Sequence, residues 1–94
     1  MRAAWHAIGR AGLIENERLA RRFLDAVDDL DRAWQEASRF HEFELLVTPA
    51  ELRRLNEQIA ALLAQYRAPV RRRAPRTAGP AHVVYQAFPR IDIR

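Results

Sequence analysis

Cysteine and lysine are both absent from this 94-residue chain, and serine occurs only once, at Ser38. Without cysteine there is no disulfide, no thiolate metal site and no thiol nucleophile. The single serine falls in a helical stretch with no elbow motif around it, so a nucleophilic triad has no starting residue. Glycine is scarce too, at Gly9, Gly12 and Gly79, and glycines spread in this way do not make a phosphate-cradling loop. No apolar run approaches the roughly 20 residues needed to span a bilayer. Trp5, His6 and Arg10 interrupt the pattern of a secretory signal, so a cytoplasmic location and no membrane attachment are expected.

What remains gives no catalytic set. His6, His41 and His82 fall on three different predicted elements and lack the spacing of ligands on one helix, so no metal site is assigned. Asp28, Asp29 and Asp31 lie on an exposed helical face, where solvation accounts for them. General acid–base work needs a cleft that perturbs the carboxyl groups. The expectation is a non-enzyme with no catalytic, cofactor-binding or metal residues, and no cofactor.

A hydrophobic fraction of 49% and a charged fraction of 30% fit one globular domain over residues 1–94 rather than a disordered chain. Within it, residues 1–40 read as a helical arm and residues 41–94 as strand, helix, loop and strand. A chain this short has a thin core, which favours a homodimer sharing its apolar surface. The charge is uneven. Residues 1–66 hold nine arginines against eleven acids, a net of −2, whereas residues 67–94 hold seven arginines against Asp92, a net of +6. The overall +4 therefore resides in the C-terminal part, and most of it in a proline-flanked run containing Arg71, Arg72, Arg73 and Arg76. Such a surplus can attract phosphates or an acidic partner, or can simply be a solvated loop. No aromatic residues interleave with it for base stacking, and no recognition helix accompanies it.

Residues 1–11 predict a short helix with Trp5 and Ile8 on one side, stopped at Gly12. A longer helix is expected over 16–39. Its apolar positions Leu19, Phe23, Ala26, Leu30, Ala33, Ala37 and Phe40 alternate steps of four and three, a heptad seam widened by Val27 and Trp34. Leu19, Phe23, Leu30, Trp34 and Phe40 are the candidate self-association face, because aromatic side chains so placed dominate an interface. A strand is expected at 43–47, then a helix over 49–67. That helix has Thr48 as N-cap, Pro49 at its first position and Glu51 able to reach back to the cap. Val47 and Leu52 have the spacing of a hydrophobic staple, and Pro69 is the expected stop. Residues 68–81 read as an exposed loop, and 82–88 as a second strand closed by Pro89. The fold class expected is therefore α+β in α-β-α-β order: a long N-terminal helix, a short two-stranded sheet and one capped amphipathic helix. The pairing direction of the strands stays open.

The order of signals from Glu42 to Arg90 resembles the C-terminal region of ArsR-like winged-helix transcriptional regulators of the actinobacterial type. The residues carrying the likeness are LVTPAE at 46–51, then Leu52, Leu55, Ile59, Leu62, Leu63, Tyr66 and Arg67, the proline- and arginine-rich loop, and HVVYQAFP at 82–89. The likeness spans about half the chain and includes no catalytic motif. It implies a region serving dimerisation and effector sensing, with a small-molecule effector possible, while DNA is bound by a winged helix-turn-helix. No such module is found in residues 1–40, which are too short for three helices and a β-hairpin wing. The chain is then a fragment of a longer regulator or a stand-alone relative. The functional expectation is the dimerisation and regulatory part of a transcriptional regulator, non-catalytic. The alternative is a small basic protein that binds nucleic-acid backbone through its Arg-rich loop.

Overall fold

Helix α1 runs unbroken from Arg2 to Ala26, straight through the glycine expected to stop it. Gly9 and Gly12 each cost a helix about 1 kcal/mol relative to alanine, but a stop at Gly12 would need the left-handed backbone. No described glycine has positive φ. Two ion pairs in the helix body offset part of the cost: Arg18 grips Glu15 through two hydrogen bonds of 3.0 and 2.7 Å, and Arg21 reaches Glu17 at 2.7 Å. The computed structural model describes residues 2–67, 71 and 73–92. The chain divides into two units, Met1–Glu42 and Phe43–Arg94.

In the first unit the expected 16–39 helix is interrupted. α1 ends in a 3-10 turn over Val27–Asp29, Leu30 is extended, and a two-turn helix, α2, follows over Arg32–Ala37. The cause is local chemistry that a heptad count overlooks. Asp25, Asp28, Asp29 and Asp31 crowd like charge at helical neighbours and at the negative end of the helix dipole. Aspartate is also a weak helix former. The break frees carbonyl groups, and the Gln35 side-chain amide takes two of them, donating to Val27 O at 2.7 Å and Leu30 O at 3.0 Å. α2 closes at Ser38, whose Oγ donates to the Trp34 carbonyl at 2.6 Å. Beyond it, Phe40 meets Phe23 with ring centroids 5.9 Å apart and planes tilted by 44°, a favourable offset geometry.

The second unit is built on α3, Pro49–Ala64, and its start matches the sequence expectation. Thr48 Oγ1 accepts from the Glu51 N–H at 3.1 Å, and Glu51 Oε1 accepts from the Thr48 N–H at 2.8 Å. The helix ends three residues before the expected Arg67, in a turn where the Tyr66 N–H donates to Leu63 O. Pro69 lies outside the described residues. Accepting the Thr48 N–H, and secondarily the Thr48 hydroxyl, holds the Glu51 carboxyl below the usual glutamate range. A depressed pKa contributes stability present above the unfolded value, about 4.3, and lost as pH falls through the folded one. Thr48→Ala is accordingly expected to cost about 1 kcal/mol in a denaturant midpoint. Acidification below about pH 4 should loosen α3 in circular dichroism, and Glu51→Gln should flatten that acid dependence. An unchanged midpoint in Thr48→Ala would dismiss the cap.

The α+β fold class is overturned. Among the described residues there is no strand and no sheet, and the architecture is all-helical. Residues 43–47 and 82–88 have strand-like composition, but neither makes a ladder. Two short strands alone gain little in water, and composition cannot supply the partner that a strand needs. Side chains hold these segments instead. Tyr85 donates its hydroxyl to Asn56 Oδ1 on α3 at 2.5 Å, and Arg90 pairs with Glu44 at 2.7 Å and with Asp92 at 2.6 Å.

Candidate functional site

Apolar surface is the dominant feature of both units. No described residue is buried. The chain exposes 9706 Å² at a mass of 10.9 kDa, whereas a compact monomer of that mass exposes about 5,600 Å². Two separate compact bodies of the same total mass would still expose only about 6,700 Å². Several thousand square ångströms therefore remain uncovered.

In the first unit the half-covered positions are Asn16, Leu19, Ala20, Phe23, Val27, Gln35 and Ser38. They gather where the chain after α2 returns to α1, marked by the Phe23–Phe40 contact. Of the five candidate self-association residues, Leu19 and Phe23 lie on α1 and are half-buried. Leu30 lies in the break, Trp34 on α2 and Phe40 beyond it, and these three are exposed. The 27–31 interruption keeps them off one straight seam. It does bring Phe23 and Phe40 together, which are 17 residues apart in sequence. Sequence reasoning missed Trp5 and Ile8 as candidate contacts. Both are on α1 and bare, at 78% and 74% exposure, and they were overlooked because Gly12 was read as separating them from the seam.

In the second unit, Leu52, Leu55, Asn56 and Ile59 form the half-covered face of α3, with Ala87 half-covered beyond Tyr85. Phe43, Leu46 and Phe88 are exposed. Of the arginines expected to meet phosphate or an acidic partner, Arg71, Arg73 and Arg76 are exposed, and Arg72 lies outside the described residues. Arg71 packs its guanidinium over the Tyr66 ring, 5.3 Å from the centroid, a cation–π contact that ties Arg71 to the turn following α3. A turn follows, closed by the Ala78 N–H on Pro75 O at 3.0 Å.

Polar chemistry is confined to surface pairs. Arg90 is held protonated by Asp92 first and Glu44 second, and the same contact with Arg90 keeps the Asp92 carboxyl below its ordinary range. Among the described residues no group of three or more His, Asp or Glu side chains is placed to hold a metal ion. No described helix is long and apolar enough to cross a membrane. No family model, curated protein or solved structure matches the chain.

Proposed function

We propose that this chain is a non-catalytic association module that works as the dimerisation and regulatory part of a winged-helix transcriptional regulator. The observation that carries the first half is the uncovered apolar surface: no described side chain is buried, while both tryptophans stand exposed in the first unit and phenylalanines and leucines in both. Soluble monomers rarely leave contiguous apolar patches beyond a few hundred square ångströms open, and larger ones mark partner surfaces. A second copy supplies matching area at no cost in new sequence. The second half rests on the ordered likeness of residues 42–90 to the regulator family. In that reading DNA contact belongs to a winged module, and this chain sets the distance and symmetry of two such modules.

Sedimentation equilibrium of the purified chain tests the reading. A mass near twice 10.9 kDa at low micromolar concentration is expected, and a monomer at high micromolar concentration would overturn it. Duplex DNA titrated into the same samples at two salt concentrations addresses the basic loop. Binding that collapses with salt and disappears when Arg71, Arg73 and Arg76 are replaced would move the function there.

A further inference from the structure

One face of α1 runs through Trp5, Ile8, Gly12, Asn16, Leu19 and Phe23 in steps of three and four, apolar at both ends with Gly12 and the polar Asn16 between, and Val27 continues it into the 3-10 turn. Its two halves differ. The C-terminal half is half-covered within its own copy and carries the Phe23–Phe40 pair, whereas Trp5 and Ile8 in the N-terminal half have almost nothing against them. Charge also differs between the two ends of residues 1–31, while the interval 15–23 between them carries Glu15 and Glu17 against Arg18, Arg21 and Arg22. Residues 1–14 contain two arginines and no acid, and residues 24–31 contain four aspartates and no base. Asp28, Asp29 and Asp31 make no ion pair among the described residues; Asp28 and Asp29 follow the negative end of the α1 dipole, where they are unfavourable in a lone copy, and Asp31 is the N-cap of α2.

We propose that two copies of this chain pair through α1 in antiparallel orientation, Trp5 and Ile8 of each packing on the Phe23–Phe40 pair of the other. The inference rests on the dimerisation reading and adds its geometry. Antiparallel pairing holds the two aspartate clusters at opposite ends of the pair and opposes the two helix dipoles. Parallel pairing would set eight aspartates together. The arrangement is isologous, so each aromatic contact occurs twice and closes the assembly at two copies. A specific interface takes roughly 800 Å² per partner, well within the uncovered surface of this chain. Residue 14 is midway between Trp5 and Phe23, which sets Gly12 beside the two-fold axis. A Cβ built at Gly12 meets nothing within its own copy, so its small size matters only where another backbone approaches.

Because the chain has no cysteine, introduced thiols report orientation directly. Ile8→Cys and Leu19→Cys chains are mixed and oxidised, then mapped by mass spectrometry. An 8–19 disulfide between copies is expected, within the reach of a disulfide. Same-position 8–8 and 19–19 products in its place would overturn the orientation. A dimer by mass that forms neither kind of link would place the interface elsewhere, ending this inference while leaving the dimerisation reading standing. A monomer would end both. Gly12→Ala supplies a second readout. It should raise helicity in the separated chain and weaken the dimer by roughly tenfold, as expected for an overpacked contact. A Gly12→Ala dimer as tight as the parent would remove the close crossing.

Discussion

Phe23→Ala should both loosen the first unit and abolish dimerisation, the larger of the two effects being on mass. The ring is half-buried on α1 and makes the unit's aromatic contact with Phe40. A fully buried phenylalanine costs 3–5 kcal/mol when cut to alanine, and half-burial with one tilted partner brings the expectation to about 2 kcal/mol. That loss is taken from a unit with no buried residue among those described, so no surrounding core compensates for it. Trp34 on α2 gives a fluorescence signal for denaturation of this unit, and sedimentation gives the mass. A double-mutant cycle with Phe40→Ala separates the ring pair from simple loss of area, with a coupling of about 1 kcal/mol expected. If Phe23→Ala kept both the midpoint and the dimer, the aromatic pair would be ornamental and the association face would lie elsewhere.

The second large effect is expected at Ile59, in the middle of the half-covered face of α3 with Leu52 and Leu55. Ile59→Asp removes the apolar contact and puts a carboxylate against the same surface, a loss of about 2–3 kcal/mol in the second unit. The capping box lies more than two turns away and stays intact, so α3 itself should persist in circular dichroism. The segment around Tyr85 should come loose instead, because its hydroxyl bond to Asn56 is too weak to hold an extended segment alone. Hydrogen exchange across 82–88 and proteolysis after Arg76 would report the release. Tyr85→Phe, which deletes only the hydroxyl, should release the segment far less. Equal exchange in the two variants would mean that the hydroxyl bond, and not the α3 face, holds the segment.

How much could be read in advance differs by element. The start of α3 was legible residue by residue, because Thr48, Pro49 and Glu51 act on one another across a single turn. The exposure of the basic loop was equally legible at Arg71, Arg73 and Arg76, its described arginines. α1 was misjudged at Gly12, since a helix-weakening residue stops a helix only when the backbone turns left-handed, and here it does not. The break at 27–31 was misjudged in the opposite sense: apolar spacing continued through it, while four aspartates and the reach of Gln35 favoured a turn. The pairing of Phe23 with Phe40 followed from that turn and was invisible as spacing, which had set both on one straight seam.

Local chemistry written in the chain determined the cap of α3, the amphipathic stripes, the absence of thiol chemistry and the asymmetry of charge, because each depends on neighbours within about one helical turn. Tertiary structure alone decided that residues 43–47 and 82–88 stay out of a sheet and that Trp5 and Ile8 stand bare. A strand needs a partner strand, and a covered face needs something to cover it. Composition shows the need for such partners but not whether one chain supplies them.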